Sequence, residues 1–524
     1  MDLTSTTTAF LSGLILILVS LVAHKARTSR SMKRRPPGPR ALPFIGCIHH
    51  VLTSQPQAAL RDLAQKHGPV MYLKLGQVDT VVISSPTAAQ EALREKDRSL
   101  ASRPSLLGSE IICYGNRDIA FAPYGDYWRS LRKMCTVELL NASKVRRFAA
   151  IRDSETMSLV REIRRACAAA SGEPVDLGGL LLSCTNSVTG RAAFGNRCSR
   201  ELTADFLSAI SVVISNISGL CVSDLFPSLR FVDALTGTKR RLRRAHQRLE
   251  DVFARIISDG EARRAERKGT GAGAGGDDDD DDLLSVMLRI RDEGEFEIPI
   301  NNTNIKAIIL DLFTGGTETT SSVAEWLMAE LMRNPDAMHK AQDEVRQAFE
   351  HRSPHEHEAQ MDKLRYTKTV IKETLRLYPP LPLLLPRQCR ETCDIGGFQV
   401  AKGSRVIVNA WAIARSPAHW DDADRFMPER FERDDSAAGY SRATTDGTTQ
   451  FEYLPFGHGR RICPGMGFGL STLEILVARL LYYFDWSLPE GMQVVDLDMD
   501  MTVGASARRT NKLHLVASPY QVPT

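Results

Sequence analysis

The chain has 524 residues, 43% of them hydrophobic and 25% charged, with a formal net charge of +4. This is ordinary globular composition, and a chain of this length can bury a large core without disulfide staples. Basic residues are dispersed apart from an N-terminal cluster and a run at Lys239, Arg240, Arg241, Arg243 and Arg244, and the ten cysteines form no C-x-x-C pair, which argues against a nucleic-acid groove, a disulfide framework and a zinc site.

The first predicted element is apolar, from Ala9 to Ala23; extended back to Leu3 it has 21 residues. As a helix it would measure about 31 Å, enough to span a hydrocarbon core. Lys25, Arg27, Arg30, Lys33, Arg34 and Arg35 follow at once, so the positive-inside rule leaves the rest of the chain in the cytosol. A cleaved secretory signal carries its charge on the other side of the apolar run. The expected organisation is a single-pass membrane anchor at 1–24, a basic and proline-rich hinge at 25–46 stiffened by Pro36, Pro37 and Pro39, and a globular body at 47–524.

Within the body, Val70–Leu75 and Thr80–Ile83 read as a strand pair around a turn at Gly76–Asp79. Helical patterns dominate from about 125 to 265 and from about 303 to 378, and short strands return near 394–408. Trp128 and Arg132 share a helix face at i, i+4. Gly269–Gly276 and the six aspartates Asp277–Asp282 are low in complexity; this 269–282 stretch cannot bury apolar surface and is expected to be a disordered loop. Further on, Gly315-Gly316-Thr317-Glu318-Thr319-Thr320 lies inside an apolar helix pattern from Ile308 to Leu327. Two glycines in a helix interior cost about 1 kcal/mol each relative to alanine, a cost met where something approaches the backbone closely. A locally widened turn is expected there.

Glu373 and Arg376 share a helix face at i, i+3, and Phe426-Met427-Pro428-Glu429-Arg430-Phe431 follows. The last stretch, Pro455-Phe456-Gly457-His458-Gly459-Arg460-Arg461-Ile462-Cys463-Pro464-Gly465, precedes a helical pattern from Leu470 to Tyr483. Backbone N–H groups and a helix N-terminus can keep a cysteine there anionic, and Gly457, Gly459 and Gly465 let the backbone turn tightly around it.

This F-x-x-G-x-R-x-C-x-G stretch resembles the haem-ligand signature of the cytochromes P450. The resemblance extends over nearly the whole chain, because the E-x-x-R, P-E-R-F and [AG]-G-x-[DE]-T-[TS] motifs stand in the family's order. It implies a mostly α fold with a smaller β subdomain, the haem lying between an oxygen-binding helix and the cysteine loop. It implies haem b held by Cys463 as iron ligand, with Phe456, Gly459 and Gly465 shaping the loop, and with Trp128, Arg132, Arg387 and Arg461 as propionate partners. Glu373, Arg376 and Arg430 would form a structural network, Gly315 and Gly316 would let dioxygen and its water chain approach the helix backbone, and Glu318 and Thr319 would form a proton relay.

The implied reaction is monooxygenation, with dioxygen as co-substrate and electrons from NADPH through a membrane-bound NADPH–cytochrome P450 reductase, the 47–524 body being the catalytic domain on the endoplasmic reticulum membrane. Substrate contacts would fall on Leu107, Ile112, Ile308, Leu312, Gly315, Leu383, Leu384 and Val503, with Gly504 beside it. Most are apolar, which suits a hydrophobic small molecule.

The segment Asp311 to Ser322 looks like the plant A-type group. Ser102-Arg103-Pro104-Ser105-Leu106-Leu107 with Cys113-Tyr114-Gly115 is similar to plant diterpene oxidases acting on pimaradiene-type hydrocarbons. Phenolic, fatty-acid or nitrogenous substrates stay open, as do a haem-thiolate isomerase or dehydratase and a non-enzymatic haem sensor. The Glu318-Thr319 pair disfavours the isomerase, which needs no proton delivery to bound dioxygen.

Overall fold

The computed structural model describes residues 34–169, 172–195, 221–270, 282–294, 296–432, 451–504 and 506–521. The anchor expected at 1–24 and most of the Gly/Asp stretch lie outside these residues; among the described ones no helix is long and apolar enough to cross a membrane.

After α1 (Pro56–His67), β1 (Val70–Leu75) and β2 (Val78–Ile83) pair antiparallel with Leu75 opposite Val78. The second strand therefore starts two residues earlier than the turn signal suggested: Gly76, at φ +59°, and Gln77 suffice for the reversal. A short helix α2 (Leu107–Ile112) and α3 (Asp126–Met134) follow, then α4 (Ala149–Ala169), β3 (Val175–Asp176), α5 (Leu177–Phe194), α6 (Thr238–Thr270) and α7 (Leu283–Glu293). Thus Gly269 and Thr270 belong to a helix. Asp282 N-caps α7, its carboxylate accepting from Ser285 N at 2.8 Å and Ser285 Oγ at 3.0 Å. Both ends of the low-complexity stretch are thus structural, a correction to its reading as loop from 269 to 282.

The longest helix of the second half, α8 (Asn302–Arg333), starts at a reciprocal cap: Asn304 N donates to Asn301 Oδ1 at 3.1 Å, and Asn301 N to Asn304 Oδ1 at 3.0 Å. It leads into α9 (Pro335–Phe349) and α10 (Arg365–Leu377). Then come β4 (Arg387–Gln388), β5 (Cys393–Ile395), β6 (Phe398–Val400), β7 (Arg405–Val408), α11 (Met466–Tyr483), β8 (Phe484–Ser487), β9 (Met501–Val503), β10 (Ala507–Arg509) and β11 (His514–Pro519). The main sheet has the order β1-β2-β7-β4, with β2 and β7 parallel; a smaller sheet runs β3-β11-β8, and β5/β6 and β9/β10 are hairpins. The fold is the expected one, mostly α with a smaller β subdomain.

Two apolar clusters share α8. Ile305, Ile308, Ile309 and Phe313 enter one with α3, α5, α6 and α7, while Val323, Trp326, Leu327 and Leu331 enter the other with α9, α10 and α11. Between them lies the polar stretch from Gly315 to Ser322. Apolar burial at both ends holds it in place, at roughly 1.5–3 kcal/mol per fully buried large side chain.

Candidate active site

Cys463 sits two residues before Gly465, the N-cap of α11. Its backbone N–H donates to Phe456 O at 3.0 Å, closing the loop on itself. Burial pushes the thiol up, while the Gly465 backbone N–H and the charge of Arg132 pull it down. Gly457 and Gly459 take φ of +68° and +73°. A Cβ at Gly459 would stand 2.3 Å from Leu93 O and 2.7 Å from Asp97 Oδ1, so only glycine fits. Phe456 is partly buried against the α9–α11 cluster.

The expected Glu373–Arg376–Arg430 network is formed. Arg376 Nε and Nη2 donate to the two Glu373 oxygens at 2.8 Å each, and Arg430 Nε and Met427 N reach Oε1 at 3.0 and 2.9 Å. Arg376 Nη1 also donates to Ala414 O and Ala423 O at 2.7 and 2.6 Å, and Arg430 Nη1 to Asp421 O at 2.8 Å. Glu373 and Arg376 are wholly buried. An i, i+3 pair that would be commonplace on a surface is here a closed network.

Around the cysteine loop the cations are differently employed. Arg461 Nε and Nη1 donate to Ala101 O at 2.7 Å and Ile119 O at 3.1 Å, and Nη2 to Ala122 O; its guanidinium lies 4.1 Å from the Trp128 ring centre. Burial drives Arg461 down to about 9, helped by the charge of Arg387. Trp128 Nε1 donates to Ile119 O at 3.0 Å, because a buried indole N–H needs an acceptor. Arg387 is paired with Asp97 at 2.9 Å and donates to His458 O at 2.8 Å. Arg132, half-buried, has no ion-pair partner among the described residues and is pulled down by burial. Of the four expected propionate partners, then, three have protein acceptors and Arg132 is left with its charge uncommitted.

Sequence reasoning missed two residues here. Asp97, buried, accepts from Arg387 and from Arg460 through its N and Nη1, both at 3.0 Å. Arg103, buried, donates to Ala120 O at 3.0 Å, Leu385 O at 2.7 Å and Pro386 O at 2.9 Å. Arg103, Arg387 and Arg461 are all lowered by burial, and Arg103 also by the other two. A lone aspartate or arginine carries no local pattern, and these partners stand far away in sequence.

On α8 the helix is unbroken through Gly315 and Gly316, so the widened turn is not formed. The glycines do different things. A Cβ at Gly316 would stand 3.1 Å from Thr189 Oγ1 of α5 and 3.4 Å from Phe468 Cε1 of α11, so this glycine lets three helices meet; at Gly315 a Cβ meets nothing within 4 Å. Thr319 Oγ1 donates to Gly315 O at 2.5 Å. Glu318, buried, forms an ion pair with Arg508 of β10 that the sequence did not reveal.

Among the apolar candidates, Ile112 and Ile308 have no exposed surface and belong to the cluster around α6 and α7; Leu107 and Leu312 sit at its partly buried edge. Leu383 packs under β1, Leu384 takes φ +49° near Gly457, and Val503 lies partly buried in β9.

Comparison with known proteins completes the picture. The family model for cytochrome P450 matches residues 36–515. The chain belongs to the cytochrome P450 family. It is 56% identical over 521 residues to the 9-beta-pimara-7,15-diene oxidase of Oryza sativa subsp. japonica, covering 99% of each chain. It is 57% identical over 522 residues to cytochrome P450 CYP99A1 of Sorghum bicolor, covering 98% of each. Premnaspirodiene oxygenase of Hyoscyamus muticus is 45% identical over 514 residues, covering 98% of this chain and 97% of the relative. A solved zebra fish cytochrome P450 with abiraterone has the same fold, with TM-score 0.71 at 23% identity, over 89% of this chain and 100% of that one. As a cytochrome P450 the chain is a haem-thiolate monooxygenase using haem b, and its residues fit that group: a half-buried cysteine at a helix N-terminus, beside four arginines, Arg103 and Arg387 buried and Arg132 and Arg461 half-buried, against two buried carboxylates, Asp97 and Asp118.

Proposed function

We propose that this cytochrome P450 oxidises an unactivated carbon of a pimaradiene-type diterpene hydrocarbon. The observation that carries this reading is identity of 56% across 99% of a rice enzyme named for such a diene. The half-buried Leu107, Leu312, Leu383, Leu384 and Val503 suit an apolar substrate. The electrons come from an NADPH–cytochrome P450 reductase on the cytosolic face of the endoplasmic reticulum membrane, to which residues 1–24 anchor the chain.

When bound, the haem supplies activation of dioxygen and insertion of one of its atoms into a C–H bond, its thiolate ligand favouring O–O cleavage. Cys463 would be that ligand: burial raises its thiol, the Gly465 N–H, the α11 N-terminus and Arg132 pull the other way, and a bound iron would complete its deprotonation. Arg132, without an ion-pair partner among the described residues, would be the principal propionate partner, and Trp128, Arg387, Arg461 and Arg103 would offset the carboxylates' cost of burial. Phe456, whose carbonyl accepts from Cys463 N, would cover the thiolate.

Gly315 leaves the helix face open to small molecules. Thr319, one turn on, holds its hydroxyl at Gly315 O and can pass a proton into that opening. Glu318 resupplies Thr319 from solvent. Its pairing with Arg508, whose side chain is 46% exposed, sets the route: the arginine swings outward as the acid takes up a proton.

The test is reconstitution with reductase and NADPH, presenting 9β-pimara-7,15-diene and a phenolic acid side by side. The expected result is spectral binding and turnover of the diene; turnover of the phenolic acid with none of any diterpene overturns the reading. NADPH consumption with oxygenated product separates the monooxygenase from an isomerase or a haem sensor.

A further inference from the structure

The segment Asp118–Ala122 runs between α8 and the cysteine loop and is tied on both sides. Towards α8, Ile119 N and Ala120 N donate to one oxygen, Asp311 Oδ2, at 2.8 and 3.0 Å. Towards the loop, its carbonyls accept from Trp128, Arg461 and Arg103. Asp311 stands one helical turn before Gly315 and next to Leu312.

Asp118 is wholly buried, and ligand atoms of Asp118, Asp311 and Cys113 lie within 4.8 Å of one another. Asp118 Oδ1 accepts from Phe121 N at 3.2 Å, whereas Oδ2 has no partner in good hydrogen-bond geometry among the described residues, the Cys113 thiol beside the carboxyl being its weak donor. Asp311 is half-buried beside Asp118, and two carboxylates this close resist ionising together. A proton held between them supplies a stronger donor and halves the buried charge.

We propose that Asp118 and Asp311 are positioning residues for the substrate: a proton shared between them holds the Leu107–Ala122 segment against α8, and so fixes which carbon faces the open helix turn at Gly315. Neither acid needs to touch substrate.

The surroundings agree with a retained proton. Burial raises Asp118 to about 6 against the pull of the Cys113 thiol and the Phe121 N–H, and burial together with the charge of Asp118 also raises Asp311. The titratable and charged groups facing the pair are Cys113, also pushed up, Cys135 and Tyr127 from the α3 side, and Arg103 and Arg461 across the segment. None of these gives either carboxyl a direct ion pair. Both acids hold protons more tightly folded than unfolded, so their contribution is full at low pH and is lost as pH rises through the raised values.

The proposal rests on the monooxygenase reading only for its product assay. Asp311→Asn keeps an acceptor oxygen for the two backbone N–H groups and replaces the shared proton with an amide N–H that does not titrate. Asp311→Ala removes both. Two readouts are taken from about pH 6 to about pH 9: the product ratio from 9β-pimara-7,15-diene, and amide hydrogen exchange at Ile119 and Ala120, which needs no substrate.

In the wild type the product ratio should broaden as pH rises. Asp311→Asn should hold a constant ratio with both amides protected. Asp311→Ala should lose about tenfold in the ratio at every pH and exchange both amides faster, with its thiolate-haem spectrum retained. Parallel pH profiles for wild type and Asp311→Asn, or unchanged amide exchange in Asp311→Ala, would overturn the proposal. So would a stoichiometric divalent metal in the purified protein that Asp311→Asn removes. If the diene is not oxidised at all, the substrate reading fails while the exchange data still decide this one.

Discussion

The two buried charge clusters of this molecule are built on opposite plans. In the Glu373–Arg376–Arg430 network one carboxylate meets two guanidinium groups, and their remaining N–H groups reach carbonyls at 2.6–3.3 Å. Around the cysteine loop, Arg387 pairs with Asp97 while Arg103 and Arg461 donate to backbone carbonyls, all three cations are lowered by burial, and Arg132 has no ion-pair partner among the described residues. The first cluster is complete in itself and acts as a lock. The second carries surplus positive charge in a low-dielectric place, an arrangement that suits a dianionic cofactor and would be costly alone.

Breaking the lock should cost most. Glu373→Ala leaves two buried arginines unpaired, so about 3–5 kcal/mol of stability should go, and the purified protein should contain little haem. A melting curve and haem-to-protein ratio close to wild type would show that the network is dispensable. Removing charge from the second cluster should act on cofactor retention and not on folding. Arg132→Ala should lower haem affinity about ten- to hundredfold, the worth of a charge-assisted hydrogen bond, with secondary structure unchanged by circular dichroism.

The open turn of α8 should respond in coupling alone. Thr319→Ala should bind haem and substrate normally and still consume NADPH, while product per NADPH falls about tenfold and peroxide rises. Wild-type coupling in that variant would refute the relay. Glu318→Gln should slow turnover without the same rise in peroxide, and Arg508→Gln should leave coupling within about twofold, since the acid remains.

The smallest effect is expected at the low-complexity stretch. Deleting residues 271–281 while keeping Asp282 should leave haem content and turnover near wild type. Asp282→Ala should cost about 1 kcal/mol through loss of the α7 cap, read as a lowered melting temperature.

The contrast between the clusters also explains what was legible in the sequence. Glu373 and Arg376 lie three residues apart on one helix, which permits their pairing, and the resemblance of the stretch around Arg430 to the family's P-E-R-F motif brought the third member to them. The Cys463 loop was legible for the same reason, as was the β1–β2 hairpin, with only its start misplaced because Gly76 turns the chain in two residues. The second cluster joins residues some hundreds of positions apart: Asp97 to Arg387, Arg103 to Leu385, Asp311 to Ile119. No local pattern announces such pairs, because tertiary packing creates them. The glycine pair was half legible. Close approach by dioxygen was expected at both, but at Gly316 the approaching groups are Thr189 and Phe468, and of the two only Gly315 faces open space. Arg508, which meets Glu318 from a hairpin strand, gave no signal at all.

Everything in this account turns on the thiolate at the N-terminus of α11, and one spectrum examines it. The reduced, carbon-monoxide-bound protein should show the red-shifted Soret band of a thiolate-ligated haem, and Cys463→Ser should lose that band while haem remains measurable by extraction. Persistence of the thiolate band in Cys463→Ser would contradict the assignment and the mechanism built on it.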